Sequence, residues 1–410
     1  MLLNTNRAQN IIKEAGLDVL IATSPDNVTY MSDYVCLMHR LTSGLQLYGI
    51  LPCDDSVQPG LVIPSVEVDA WAELPGGIKD VTVYGTVHRH HETTGPFALD
   101  DQLIYDLTVA GETHGDATDA LHFALSKRGM IDSAIGLDES NLSVNGWAQI
   151  VDAFPRARLV PAASLFRLIR MVKTETEIER LSHSAQITET AIQDVFRQVR
   201  QGMTEKQLAQ QLKARMAELG GDPAFSLVSA GYRTAHTGHN YAREPDYLIR
   251  EGDLIKIDAG CTYGFYWSDV SRTKTFGAPG RHESHLYEIL CAGQRAALAH
   301  ARSGIRASEL FETTVATIRE LGISDYKRHH CGHGIGIAVY DPPLVQPHGY
   351  RDMFGIGSND PVLENGMVIN LEMPYYVLGK FGFNVEDPIV VRDDGPQLLT
   401  HLDHALSIVT

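Results

Sequence analysis

A chain of 410 residues with 44% hydrophobic and 21% charged side chains has the composition of a globular protein, and its length favours two domains over one. Its formal net charge of −17 excludes a nucleic acid or an anionic membrane as the expected partner, because nothing in that balance would neutralise phosphate groups. No apolar run reaches the ~18 residues that a membrane span needs, so none is predicted.

The five cysteines are scattered, odd in number and never spaced as C-x-x-C. This pattern favours reduced thiols over a disulfide framework or a thiolate zinc site. The residues after Met1 turn amphipathic at once, without the apolar core of a secretion signal. We therefore expect a cytoplasmic protein.

The first 165 residues alternate between short apolar runs and helical patterns. Strands are predicted at 19–22, 46–52, 60–64 and 81–84, and helices at 6–15, 116–128 and 144–153. Residues 24–27, with the sequence Ser-Pro-Asp-Asn, are predicted to form a turn. Together these elements indicate a smaller α/β domain over 1–165, followed by a crossing segment at 161–173.

The pattern changes after this crossing to long amphipathic helices followed by strands. Helices are predicted at 174–201 and 204–220, each opened by a capping box, Thr174 with Glu177 and Thr204 with Gln207. A strand is predicted at 225–230, and a second helix pair at 282–303 and 307–321. Because 174–275 and 282–391 share this coarse order, a second domain over 171–410 is predicted to bring two similar halves together.

Asp258 and Asp269 lie in two predicted strands, 254–261 and 265–275, which form a hairpin that would place the two carboxylates side by side. Close carboxylates repel unless they share a proton or a cation. Glu372 and Glu386 lie in apolar strands where an unpaired acid would be costly, and His333 lies among glycines. The five side chains therefore predict a buried metal site.

The order of these five residues resembles the ligand order of the creatinase/prolidase/methionine aminopeptidase superfamily, the pita-bread metallopeptidases, and most closely its Xaa-Pro dipeptidase and aminopeptidase P branch. The resemblance covers nearly the whole chain. It includes the motifs Arg170-Met171-Val172-Lys173-Thr174-x-x-Glu177, Gly252-Asp253-Leu254, Gly332-His333-Gly334-Ile335-Gly336, Leu363-Glu364-x-Gly366-Met367 and Glu386-Asp387. It implies an α+β fold, with a C-terminal pita-bread catalytic domain behind a creatinase-like N-terminal domain.

The resemblance also implies two divalent ions, held by Asp258, Asp269, His333, Glu372 and Glu386. Four carboxylates and one imidazole suit manganese, the first expectation, and also cobalt, zinc or iron. Asp269 and Glu386 would bridge ions about 3.5–4 Å apart, and such a pair gives a hydroxide nucleophile near neutral pH. The implied reaction is hydrolysis of an Xaa-Pro amide bond in dipeptides or short peptides.

Several further roles follow from the resemblance alone. Glu372 would be both ligand and proton acceptor, and His239 the proton-handling group that faces the intermediate, with His236 as the alternative. His329 would lie on the substrate side and His330 would be structural.

Two positions depart from the prolidase pattern. Tyr340 stands where prolidases carry a substrate-side His, and Asn384 where they carry an Arg. Tyr340 can still donate a hydrogen bond to the substrate, and Arg233 or Arg243 is a candidate for the lost cation.

These departures keep alternatives open. One is a non-peptidase member of the superfamily that acts on a small metabolite, similar to ectoine hydrolase or the lyase of dimethylsulfoniopropionate. The other is a non-catalytic, peptidase-like binding protein, which the complete ligand set argues against. The resemblance further implies a homodimer.

Overall fold

The computed structural model describes residues 2–42, 44–74, 77–91, 95–237 and 246–409. The chain divides into two compact units, Met1–Arg170 and Met171–Thr410. In the described residues, no helix combines the length and the apolar character needed to cross a membrane.

The first unit is built on a mixed sheet with the strand order β4-β3-β2-β1-β5-β6. Its strands are β1 (Val19–Ala22), β2 (Tyr48–Pro52), β3 (Gly60–Pro64), β4 (Asp80–Tyr84), β5 (Ala134–Leu137) and β6 (Arg158–Pro161). Its helices are α1 (Thr5–Glu14), α2 (Pro25–Ser32), α3 (Leu37–Leu41), α4 (Val68–Ala72), α5 (Leu99–Thr108), α6 (Ala117–Ser126), α7 (Val144–Ala153) and α8 (Ala163–Met171). Apolar residues of β1, β5, α6 and α7 form its core.

The turn predicted at 24–27 is wrong, because these residues open helix α2. The Ser24 side chain accepts a hydrogen bond from the Asn27 N–H, and Pro25 takes the first helical position, where its missing N–H costs nothing. The same residue types favour turns, so local sequence alone did not distinguish the two.

His39 in this first unit gives a pH-dependent stability. Its side chain is buried, and its Nε2 lies 3.0 Å from Nδ2 of Asn141. Burial disfavours the imidazolium and lowers the pKa of His39 to about 4, although hydrogen bonding to Thr23 opposes this. Below pH ~6.5 the unfolded chain takes up a proton here that the folded unit accepts only near pH 4, so acid lowers the free energy of unfolding.

Between pH 7.5 and pH 5.0, we expect the free energy of unfolding of His39→Gln to fall by about 2 kcal/mol less than that of wild type, because a neutral amide replaces the titrating ring. Urea denaturation at the two pH values measures this difference. His122→Gln, at an exposed histidine of the same unit, is the matched control and should keep the wild-type pH slope. An unchanged slope in His39→Gln would contradict the assignment.

The second unit is built on a larger, mainly antiparallel sheet, with a main path of β12-β11-β13-β16-β10-β8-β7. The unit contains the strands β7 (Asp222–Ala230), β8 (Leu254–Tyr263), β9 (Tyr266–Trp267), β10 (Val270–Phe276), β11 (Gly332–Gly334), β12 (Asp341–Leu344), β13 (Val368–Glu372), β14 (Tyr375–Val377), β15 (Phe381–Phe383), β16 (Glu386–Val390), β17 (Gln397–Leu398) and β18 (Ile408–Val409), of which β14 and β15 form a separate two-stranded sheet. Its helices are α9 (Glu175–Gln198), α10 (Glu205–Glu218), α11 (Arg281–His300) and α12 (Ala307–Glu320).

Both predicted capping boxes are confirmed, at Thr174 with Glu177 and at Thr204 with Gln207. The helices α9 and α10 that they open pack their apolar faces on β7 and β8. The strand predicted at 265–275 is interrupted instead, because β9 ends at Trp267 and β10 begins at Val270. Asp269 therefore lies in the break, outside the regular strand pairing.

Candidate metal centre

One row of the larger sheet carries three of the five predicted ligands. Glu372 pairs with Glu386 across β13 and β16, Glu386 with Ser271 across β16 and β10, and Ser271 with Asp258 across β10 and β8. Residues directly opposite each other in antiparallel strands point to the same face of the sheet. Asp258, Glu372 and Glu386 therefore project from one face, although 128 positions separate the first and last of them in the sequence.

Asp269 and His333 join this face from neighbouring segments. Oδ2 of Asp269 lies 3.6 Å from Nε2 of His333, and one ligand atom from each of Asp269, His333 and Glu386 lies within 4.8 Å of the others. Gly260 permits this approach, because a Cβ there would lie 2.0 Å from the carbonyl oxygen of Ser268. Gly332 likewise permits the close approach of β11 to β13, because a Cβ there would lie 2.4 Å from the carbonyl oxygen of Asn370.

The electrostatics of the cluster favour a bound cation. Burial raises the pKa of Asp258 well above its ordinary value, and the nearby Asp269 carboxylate raises it further. Burial, Asp269 and Asp258 act in the same direction on the pKa of Glu386. For His333, burial lowers the pKa, but the Asp269 carboxylate outweighs it and the net shift is upward. Buried carboxylates this close together are unfavourable as free anions, and divalent cations would compensate them.

Amide groups around Glu386 also fit a cation site. Asn370 and Asn384 each donate an Nδ2 hydrogen bond to Glu386, at 2.5 Å and 3.0 Å. Within the described part of the chain, the Oδ1 atoms of Asp269, Asn370 and Asn384 are buried without a hydrogen-bond partner. Buried oxygen atoms without partners are costly unless an ion or a water completes them, so this donor set fits divalent metal ions. Asn384 thus contacts a predicted ligand instead of supplying a cation.

Glu372 is held differently from the other carboxylates. Oε1 of Glu372 lies 2.9 Å from Nδ1 of His330 and 3.4 Å from Nη2 of Arg328. Burial acts to raise the pKa of Glu372, but the His330 contact and the Arg328 charge outweigh it and hold that pKa at about 2. Glu372 is therefore ionised at neutral pH.

Neither of these partners of Glu372 was predicted from the sequence, where His330 was expected to be structural and Arg328 had no role. His329, the residue predicted to face the substrate, is exposed, and its ring packs edge-on against His330 with 4.3 Å between centroids. The only local signal was the run Arg-His-His before Cys331, which does not reveal which side chain faces the sheet. The substrate-side role of His329 stays a prediction.

Tyr340 lies against the cluster. Its ring stacks on that of His333, with 3.8 Å between centroids and 13° between planes. Burial raises the pKa of the Tyr340 phenol, and the carboxylates of Glu372 and Glu386 add to this effect. The phenol therefore stays protonated and can donate a hydrogen bond into the site.

Of the two candidate proton-handling histidines, one lies within the described residues and the other does not. His239 lies outside the described residues, as does Arg243. His236 is half-buried, and its carbonyl oxygen accepts a hydrogen bond from Nζ of Lys256 at 3.3 Å. Lys256 precedes Asp258 by two residues on β8, so this segment passes beside the cluster. The choice between the two histidines stays open.

A buried ion pair lies next to the cluster, between Arg272 on β10 and Asp387 on the strand that carries Glu386. Arg272 donates to the Glu386 carbonyl oxygen at 2.8 Å and to Oδ1 of Asp387 at 2.5 Å. Asp387 also accepts hydrogen bonds from Gln294 at 2.7 Å and Thr400 at 2.5 Å. This network fixes the backbone of the strand that presents Glu386.

Two family models match this chain. Residues 179–393, just over half of the 410, match metallopeptidase family M24, and residues 5–172 match the creatinase/prolidase N-terminal domain. An Xaa-Pro dipeptidase of Pyrococcus furiosus is 30% identical over 240 residues, which are 58% of this chain and 65% of that protein. A probable dipeptidase PepE of Mycobacterium tuberculosis is 31% identical over 273 residues, 63% of this chain and 69% of that protein.

The same fold is found in a solved structure. The crystal structure of an X-Pro aminopeptidase from Thermotoga maritima superposes with a TM-score of 0.76 at 25% identity, covering 98% of this chain and 100% of that one. The fold and the side-chain set thus define a metal-dependent protein whose larger sheet carries a buried site for divalent ions. The chain belongs to metallopeptidase family M24, which confirms the predicted superfamily and its α+β pita-bread fold.

Proposed function

We propose that this metallopeptidase is a dinuclear hydrolase that cleaves the Xaa-Pro amide bond of dipeptides or short peptides. The observation that carries the proposal is the convergence of Asp269, His333 and Glu386 within 4.8 Å, on the face from which Asp258 and Glu372 also project. The names of its relatives, Xaa-Pro dipeptidase and X-Pro aminopeptidase, support the choice of bond.

The five proposed ligands are Asp258, Asp269, His333, Glu372 and Glu386. Manganese is the proposed metal, with cobalt, zinc or iron as alternatives, because carboxylate-rich sets with one imidazole accept all four. When bound, the ions supply an activated water and polarise the scissile carbonyl group.

The protein's own side chains have distinct roles in this proposal. Glu372 accepts the proton of the attacking water at Oε2, because its Oε1 is engaged by His330 and Arg328. Tyr340, held protonated against His333, donates a hydrogen bond to the substrate. His329 is proposed to face the substrate, and His239, with His236 as the alternative, to return a proton to the leaving amine.

Cellular setting and assembly are further proposals. We propose a cytoplasmic location, supported by five cysteines that are all free thiols. We also propose a homodimer, for which the exposed Leu37, Met38 and Leu41 on α3 offer an apolar surface. Sedimentation analysis of the purified protein tests the dimer.

A substrate panel tests the proposed reaction. Metal content is measured first, by mass spectrometry of the purified and the manganese-loaded protein, and about two ions per chain are expected. Loaded protein is then assayed with Xaa-Pro dipeptides, longer peptides with proline second, ectoine and dimethylsulfoniopropionate. Turnover of a proline peptide is expected. Turnover of only one of the two metabolites would replace the proposal by the small-metabolite alternative, and failure to bind any divalent ion would leave a binding protein.

A further inference from the structure

Arg328 lies at the accessible edge of the candidate metal centre. Its side chain is 13% exposed and that of its neighbour Glu372 is 12% exposed, whereas His333 is 1% exposed. Nε of Arg328 donates to the His330 carbonyl oxygen at 3.3 Å, and Nη2 contacts Glu372 at 3.4 Å. Nη1 has no hydrogen-bond partner among the residues that the structure describes. The guanidinium is therefore fixed on one side and available on the other.

The charge balance of the proposed site provides no carboxylate that neutralises Arg328 alone. The four proposed carboxylate ligands and two divalent ions would cancel each other, and Glu372, the only carboxylate in contact with Arg328 in the described ranges, belongs to that set. Buried charge without a partner is unfavourable. A bound anion would supply the missing partner.

Three other cations near the site, all among the residues that the structure describes, are already engaged. Arg233 pairs with Glu205 at 3.0 Å, and both side chains are buried. Arg272 pairs with Asp387 in the same manner. Lys256 donates to the carbonyl oxygens of Thr234 and His236. Within the described ranges, Arg328 is thus the cation with a nitrogen still available beside a proposed catalytic carboxylate.

We propose that Arg328 binds the α-carboxylate of the residue released from the substrate, so that the preferred substrates are amides whose leaving amine carries a free carboxylate, such as dipeptides. This inference rests on the proposed function. Three covalent bonds separate the scissile carbonyl carbon from that carboxyl carbon, which places them roughly 3–4 Å apart. A carbonyl group bound next to Glu372 would therefore bring the carboxylate within reach of Arg328. A guanidinium also matches a carboxylate in shape, since its parallel N–H groups can form a bidentate pair.

The test compares Ala-Pro with Ala-prolinamide, which differ only in this carboxylate, in manganese-loaded wild type, Arg328→Met and Arg328→Lys. Wild type is expected to prefer the acid. In Arg328→Met the ratio of kcat/KM values, acid over amide, should fall by about 10- to 100-fold, the worth of a hydrogen-bonded charge pair. Arg328→Lys should keep part of the preference, because charge remains but the fork is lost. Arg319→Met, which loses only a hydrogen bond to the Tyr326 carbonyl group, is the matched control and should keep the wild-type ratio.

The ratio of kcat/KM values, acid over amide, distinguishes recognition of the substrate carboxylate by Arg328 from a merely structural role of this residue. If Arg328 only organises Glu372, both substrates lose activity equally and the ratio is unchanged, which overturns the inference. A second measurement, the thermal shift that L-proline or L-prolinamide gives to loaded protein, needs no turnover. A larger shift with proline that disappears in Arg328→Met supports carboxylate binding even if neither peptide is cleaved, in which case the proposed reaction alone fails. If L-proline and L-prolinamide give equal thermal shifts in wild type, the proposal that Arg328 recognises a carboxylate is wrong.

Discussion

Asp269→Asn is expected to reduce the metal content from about two ions per chain to one or none and to lower kcat/KM for an Xaa-Pro dipeptide about a thousandfold or more. The Lewis-acid contribution of a metal is worth several kcal/mol, and each ~1.4 kcal/mol changes a rate tenfold. Asp269 has one oxygen near His333 and a second that is buried without a partner among the described residues, so the near-isosteric amide would remove a proposed ligand with little change in shape. Mass spectrometry and steady-state kinetics measure the two losses.

Stability in metal-free buffer gives this prediction a second readout. Asp269 adds to the repulsion that acts on Asp258 and Glu386. The metal-free variant should therefore unfold at a Tm no lower than that of metal-free wild type. The gain in stability on adding manganese, about 2.7 kcal/mol at a hundredfold excess over Kd in wild type, should shrink.

Asp222→Asn, at an exposed carboxylate at the start of β7, serves as the matched control and should retain both ions. A metal-free Asp269→Asn protein that fails to fold would show that this carboxylate is structural. Full metal content in the variant would remove it from the ligand set.

Arg272→Met is expected to lower the free energy of unfolding by about 3–5 kcal/mol, because the buried Asp387 carboxylate loses its guanidinium partner and keeps the His404 ring, whose Nε2 lies 2.8 Å from Oδ2, as its basic neighbour. Both side chains of the pair are 1% exposed, and Arg272 also donates to the Glu386 and Leu402 carbonyl oxygens at 2.8 Å and 3.1 Å. Methionine fills much of the volume, so the loss reports charge and hydrogen bonding more than a cavity. Guanidinium denaturation of the metal-free protein measures it without interference from bound ions.

The double variant Arg272→Met/Asp387→Asn tests this explanation. Asparagine removes the uncompensated charge and keeps the Oδ1 that accepts from Thr400. Its amide nitrogen replaces the Oδ2 that accepted from Gln294 and can instead donate to Gln294 Oε1, which has no partner in the described residues, once the Gln294 amide turns over. The double variant should therefore be more stable than Arg272→Met alone. Arg197→Met breaks an exposed pair with Asp194 and should change stability little. If the double variant is less stable than the single one, the loss comes from the hydrogen bonds of Arg272 to the backbone.

Local signals were enough to predict several elements of the fold. Strand β1 and helix α7 occupy the predicted residues, and the helices opened by Thr174 and Thr204 begin at those caps. β1 is a continuous apolar run, and each of the three helices has a regular apolar pattern that begins after a capping residue. Strands β5 and β6 were not predicted, because Gly136 interrupts the apolar run of β5, and β6 begins with Arg158 and ends with Pro161, so neither shows the continuous apolar run of β1.

The sequence by itself predicted the four carboxylates and one imidazole as a set, since buried carboxylates among apolar strands imply a shared cation and their order resembles that of the superfamily. Only the tertiary structure decided how they meet. The register of four antiparallel strands places Asp258, Glu372 and Glu386 in one row, and register depends on long-range pairing that no local pattern records. The same holds for Arg328 and His330, whose contact with Glu372 depends on which way an irregular segment turns its side chains.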